Sequence, residues 1–193
     1  MDVGRLAEAL CGGCSEDIPQ LLDFLKGLER EAAALAGRMN LKAAATPLVK
    51  AVPREVLAEE YGRMPSKRVA KYVIRRALYL KYGNSVKPPA GPRCPICGLP
   101  PTLLIKRKED LGIFSRDVYY ARCTCGYEWR WESPYLCPKC GAIGRENFIF
   151  YMSGDFGVYF ARCKACGFTV AVSEQEVDPW EHVVLQLLAK YVG

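Results

Sequence analysis

Apolar residues return at every third or fourth position through the first part of the chain and at every second position later. That change of period predicts helices followed by short strands. In "SEDIPQLLDFLKGLEREAAALAG", Ser15 or Asp17 is placed to cap a helix whose apolar face is Ile18, Leu21, Leu22, Leu25, Leu28 and Ala32, with Gly37 as its stop. "TPLVKAV" offers Thr46 as a cap with Pro47 in the first turn, and "PREVLAEEYG" continues from Pro53 to Gly62. "SKRVAKYVIRRALYLKYG" runs from a Ser66 cap to a Gly83 stop. Its buried stripe is Val69, Val73, Ala77 and Leu80, widened by Ile74 and Leu78.

The segment "NSVKPPAGPR" has no periodicity and is rich in Pro and Gly, so it reads as a linker with a domain boundary near residue 90. Beyond it, "TLLIK", "DVYYAR", "YEWRWE", "NFIFYM", "VYFAR" and "FTVAVSE" read as short strands. Helical spacing resumes in "DPWEHVVLQLLAKYVG", through Val183, Val184, Leu187 and Leu188. The expected class is α+β. An α-helical domain with its linker occupies residues 1–90, and two small antiparallel β modules occupy 91–134 and 135–193, the second carrying a C-terminal helix.

The two β modules are copies. "RCPICG" returns as "LCPKCG" and "YARCTCG" as "FARCKACG", with Cys94 and Cys137 43 residues apart and Cys123 and Cys163 40 apart. "DLG" at Asp110 likewise corresponds to "DFG" at Asp155. Ten of the 193 residues are cysteines, and eight of them fall in four tight pairs between Cys94 and Cys166. Disulfide frameworks scatter their cysteines, whereas metal sites gather them in close pairs. A module this small buries too little apolar surface to be secure alone. A structural zinc ion supplies about 10–16 kcal/mol of apparent binding energy in small domains.

Because each copy holds one CPxC and one later pair, consecutive pairing is expected: Cys94, Cys97, Cys123 and Cys125 in the first site, and Cys137, Cys140, Cys163 and Cys166 in the second. Crossed pairing, first with third and second with fourth, is the alternative. Four thiolates close a tetrahedral shell, so two Zn²⁺ ions are expected, with iron as the alternative in one or both sites. The later pair of the first site, "CTC", is one residue shorter than "CKAC". On an extended segment Cys123 and Cys125 would share a face, which predicts a strained first site that loses its metal before the second. "CGGC" at Cys11 and Cys14 is a lone pair without a βαβ context; it reads as inert or disulfide-linked, or else as a redox or client-contact pair.

The order of CPxCG, a cysteine pair followed by Glu-Trp, two further pairs and a closing Asp-Pro helix resembles the formate dehydrogenase accessory protein family (FdhE-like). The matching residues are Cys94 to Gly98, Cys125 with Glu128 and Trp129, Cys137 with Cys140, Cys163 with Cys166, and Asp178 with Pro179. The front is shorter than in the bacterial members and "CTC" departs from their CxxC, so the resemblance is to a short, archaeal-type member. It implies two rubredoxin-like ribbons behind a helical domain, and a protein that binds the catalytic subunit of a molybdenum- or tungsten-containing formate dehydrogenase during its maturation.

Charge adds a second functional class. The chain is +6 overall, and residues 1–90 carry 15 Lys and Arg against 10 Asp and Glu. From Arg63 to Lys87 eight basic residues occur without an acidic one: Arg63, Lys67, Arg68, Lys71, Arg75, Arg76, Lys81 and Lys87. Arg68, Lys71, Arg75 and Arg76 are the candidate partner-binding residues on that stretch. A basic stripe interleaved with Tyr72, Tyr79 and Tyr82 fits an acidic protein client or, as the alternative, nucleic acid. A rubredoxin-like electron carrier is a third reading.

Arg93, Arg122 and Arg162 neighbour the cysteine pairs and are expected to offset thiolate charge. His182, the one histidine, is expected to be packed or at the surface rather than a ligand. Trp129 and Trp131 share a strand face, either a packed face or, with Trp180, a binding one. No nucleophile–base pair, phosphate-cradling Gly loop or paired catalytic acids are visible, so no enzymatic activity is expected. "MDVGRLAEAL" lacks the apolar core of a signal peptide, and no apolar run approaches the roughly 20 residues of a membrane span, so the expected location is cytoplasmic.

Overall fold

The computed structural model describes residues 2–11, 16–41, 45–152 and 156–192. Among the described residues five helices, α1 (Val3–Cys11), α2 (Ile18–Arg38), α3 (Arg54–Arg63), α4 (Lys67–Tyr82) and α5 (Pro179–Leu188), accompany one six-stranded sheet. Its strands are β1 (Leu103–Asp110), β2 (Ser115–Arg122), β3 (Glu128–Trp131), β4 (Phe148–Met152), β5 (Val158–Cys163) and β6 (Thr169–Ser173). All six strand segments form where the alternating pattern places them.

Helix ends depart from expectation in instructive ways. Ser66 does cap α4, its hydroxyl accepting from the Val69 N–H, and Gly83 follows its last turn. Helix α2, however, runs through Gly37 to Arg38, because buried Met39 still donates its N–H to the Leu35 carbonyl before the backbone turns extended. Asp17 precedes α2 without a side-chain cap bond, and Ser15 lies outside the described residues. Thr46 caps nothing: the segment is a 3-10 turn, Leu48–Ala51, entered through a cis Thr46-Pro47 peptide. On α4 the buried stripe is Ala70, Val73, Ile74, Ala77 and Leu78, while Leu80 is exposed. The stripe is rotated because α4 packs against α2 and α3 and also reaches the first cysteine cluster.

The two repeats are not separate sheets. Each is an antiparallel three-stranded meander, and the two join edge to edge through parallel pairing of β1 with β6, giving the order β3-β2-β1-β6-β5-β4. The seam pairs Leu103 with Ala171, Leu104 with Val172 and Ile105 with Ser173. Burial explains the choice. Leu103, Leu104 and Ile105 are consecutive buried residues, as are Val170, Ala171, Val172 and Ser173. Strands covered on both faces lose alternation and belong at the centre of a sheet.

Helix α5 returns from β6 to pack on α1 and α2, so chain from both ends closes one helical cluster. Its start is fixed by Glu181, whose carboxylate accepts the Asp178 N–H at 2.8 Å. The ring of His182, fully buried, meets the Thr102 hydroxyl at 2.7 Å and so ties α5 to the start of β1. Burial pushes His182 down to about 3, so it is a neutral, packed histidine. One continuous apolar core runs from Val3 and Leu6 in α1 to Phe160 and Val172 in the sheet. Among the described residues no helix is long and apolar enough to cross a membrane.

The shared seam makes the halves thermodynamically interdependent. Leu104→Ala is expected to lower stability by about 2–5 kcal/mol. Urea unfolding of a Trp180→Phe variant, whose fluorescence then reports only Trp129 and Trp131 in the first repeat, followed also by far-ultraviolet circular dichroism, should give one coincident transition. Separate transitions would show that the meanders fold apart.

Candidate metal centres

Each metal knuckle is a tight turn that folds back on the strand beside it. In the first, Cys94 N–H donates to Leu99 O at 2.9 Å and Gly98 N–H to Cys94 O at 2.8 Å. The turns at Cys137 and Cys163 repeat this, with Cys137 N–H to Ala142 O, Gly141 N–H to Cys137 O, Cys163 N–H to Phe168 O and Gly167 N–H to Cys163 O. "CTC" forms the same device contracted by one residue: Cys123 N–H donates to Tyr127 O at 2.9 Å and Gly126 N–H to Cys123 O at 2.8 Å. It is therefore a turn rather than the extended segment expected, since β2 ends at Arg122.

These four turns bring the eight cysteines into two groups, Cys94/Cys97/Cys123/Cys125 and Cys137/Cys140/Cys163/Cys166, the sulfurs of each lying within 4.8 Å of one another. Pairing is consecutive, not crossed. Within the first group Sγ–Sγ separations include 3.5 Å for Cys94–Cys125 and 3.2 Å for Cys97–Cys123. In the second they include 3.6 Å for Cys137–Cys166 and 3.7 Å for Cys140–Cys163. A disulfide needs about 2.05 Å, so none of these contacts is one. The edge of a sulfur tetrahedron around a metal with bonds of about 2.3 Å is about 3.8 Å, close to what the turns impose.

Electrostatics point the same way. The Cys97 sulfur is driven far below the ordinary thiol range by hydrogen bonds from Cys123, Cys125 and Cys94. Cys125 is pushed up by its bond to Cys123, then by Cys94, Cys97 and burial. In the second cluster burial pushes Cys137 up to about 12, while a backbone hydrogen bond at Ala142 helps bring Cys140 to about 7. One sulfur of each cluster is shifted toward its thiolate, Cys97 and Cys140, while Cys123 and Cys125 in the first and Cys137 and Cys166 in the second are shifted toward the thiol. A divalent cation between them removes that conflict and lets all four ionise. The residues present thus fit a metal ion in each cluster.

The clusters differ in their surroundings. All four sulfur residues of the first are buried. The 3-10 turn clamps its first knuckle, Leu48 N–H donating to Pro95 O and Val49 N–H to Ile96 O, both at 2.9 Å. Tyr127 OH reaches the Val86 carbonyl at 2.9 Å. Arg76 completes the clamp. Its Nη1 donates to the Cys125 carbonyl at 3.1 Å, its Nε to Glu29 at 2.8 Å, and its guanidinium lies over the Tyr79 ring. Gly126 has φ 100° and lies so close that a Cβ there would stand 2.0 Å from Arg76 Nη1, so only glycine fits. In the second cluster Cys140 is exposed and Cys166 half-buried.

Several expectations change here. Arg76 is buried and turned inward, so it is not a partner-facing residue; Arg68 and Lys71 are exposed and Arg75 half-buried. Arg122 does not serve a sulfur: it bonds to Glu128, Glu176 and the Val177 carbonyl. The cation that reaches the contracted Cys123–Gly126 knuckle of the first cluster is Arg76, whose link to it the sequence pattern does not signal because 49 residues separate it from Cys125. The basic stripe is also partly engaged, with Arg63 paired to Glu31 and Glu60, Arg76 to Glu29, and Lys81 bonded to the Met39 carbonyl. Trp129 and Trp131 are buried on the packed face. Asp155 and Cys14, like the side chain of Cys11 at the end of α1, lie outside the described residues.

Comparison of the chain with protein-family models, with curated proteins and with solved structures finds no match.

Burial argues for the opposite order of metal release to the one the short CTC spacing suggests. With stoichiometric metal and a mild chelator, native mass spectrometry should show one ion lost well before the other. Cys140→Ser should eliminate the fast-leaving ion. Early loss from the Cys94 cluster would contradict the burial argument. Arg76→Met, which strips Glu29 and the Cys125 carbonyl of a charged donor, should cost about 1.5–3 kcal/mol in denaturant titration and speed release from the first site.

Proposed function

We propose that the protein is a metal-stabilised docking protein that binds the catalytic subunit of a formate dehydrogenase, or a related molybdenum or tungsten oxidoreductase, during maturation. The observation that carries the structural role of the metals is the donor set. Among the described residues each cluster supplies four sulfurs and no histidine or carboxylate. Four thiolates saturate a tetrahedral ion and leave no position for a reactive water, which favours a bracing ion over a catalytic one. Zinc suits such a site because it imposes no geometry of its own and no redox chemistry.

What the metals brace is a surface. The β1–β2 hairpin tip presents Leu111, Ile113 and Phe114 to solvent, Ile113 at 94% exposure, and the second repeat exposes Ile143, Ile149 and Met152. Exposed apolar groups held on a rigid sheet suit protein–protein contact. The choice of client rests on the resemblance in cysteine order and on the Asp-Pro start of α5.

Affinity capture of the tagged chain from its native cells, with metal analysis of the eluate, tests this reading. The expected result is co-elution of an oxidoreductase catalytic subunit with two zinc ions per chain. Recovery of nucleic acid and no such subunit would overturn it.

A further inference from the structure

Between α2, α4 and α5 lies a groove of about 430 Å³, within the size range of ligand-binding clefts. Its lining is apolar along Phe24, Leu25 and Leu28 of α2, Val69 of α4, and Val183 and Leu187 of α5. Phe24 and Leu187 are partly open to solvent. Three cations, Arg68, Arg75 and Lys190, line the same groove, and among the described residues no Asp or Glu does. The Glu29 carboxylate, which reaches from α2 to α4, is taken up by Tyr72 and Arg76. Arg75 Nε is a buried donor without a hydrogen-bond acceptor. A buried donor left unpaired is costly, and the guanidinium of half-buried Arg75 keeps its positive charge at the groove wall. The end of the groove is Thr124 and Cys125, the contracted knuckle of the first metal cluster.

We infer that this groove receives an amphipathic helical segment of a protein partner, its apolar side chains seated on Phe24 and Leu187 and its carboxylates on Arg68, Arg75 and Lys190. This deepens the docking reading and rests on it, by naming the chemistry of the segment received. Apolar lining and a confined shape favour a peptide over a nucleic-acid backbone, which needs a broad cationic track but no hydrophobic floor. Because Cys125 lines the groove, an ion held by the first cluster would fix that part of its wall.

The test uses the full, metal-loaded chain and calorimetric titration with synthetic peptides of about 12 residues bearing Leu and Phe at i, i+4 spacing beside Glu. The acidic peptide should bind, while a version with Lys in place of Glu, or Ser in place of Leu and Phe, should bind at least 10-fold more weakly. Arg68→Glu combined with Lys190→Glu alters exposed positions and should weaken the acidic peptide at least 10-fold, with metal content and circular dichroism unchanged. Equal affinity for the Glu and Lys peptides, no binding of either, or an unaffected double variant would overturn the proposal. Duplex DNA binding that disappears in the double variant, with no peptide binding, would reassign the cations to nucleic acid. The same variant distinguishes this inference from the reading it rests on. If it still captures the oxidoreductase subunit, the groove is excluded and the docking role stands; if the unmodified chain captures none, the docking role itself fails.

Discussion

Four thiols forced into one small volume cannot all ionise without a cation between them, and that constraint organises the molecule. The turns at Cys94, Cys123, Cys137 and Cys163 each commit a glycine with positive φ and a pair of backbone hydrogen bonds to aiming sulfur inward. They converge at separations of 3.2–3.7 Å, longer than a disulfide and matched to the edge of a metal-centred tetrahedron. Around these two fixed points the short strands of each meander acquire a register that their limited apolar surface would hold weakly.

The second organising contact is the parallel seam of β1 with β6. It turns a duplicated unit into a single six-stranded sheet, buries both faces of its central strands, and delivers α5 back onto α1 and α2. The duplication is consequently unequal. The first cluster sits under the 3-10 turn at Leu48–Ala51 and α4, and its knuckle shares Arg76 with Glu29 of α2. The second faces solvent through Cys140. The first cluster joins the helical and β regions, while the second lies within its own meander.

Much of this was legible in the chain because it depends on local pattern. Cysteine spacing with its flanking glycines, the change of hydrophobic period near residue 90, and the Ser66 cap are all short-range signals, and the structure places each where it was expected. Long-range contacts were not legible. Nothing near Arg76 signals that it turns inward to the Cys125 carbonyl, and its place in a run of cations suggested an outward role. The consecutive apolar residues at 103–105 and 170–172 did carry a sign of the central seam, since a strand open on one face would alternate. The extended conformation expected for "CTC" gives way to a turn for a geometric reason: one residue fewer still closes it when Gly126 supplies the positive φ.

The central claim is that two tetrathiolate centres brace the fold. X-ray absorption at the edge of the bound metal, on protein purified without added chelator, tests it most directly. The account predicts two ions per chain, each in a single shell of four sulfurs at about 2.3 Å. A shell containing nitrogen or oxygen donors, or fewer than two ions in a folded chain, would contradict it.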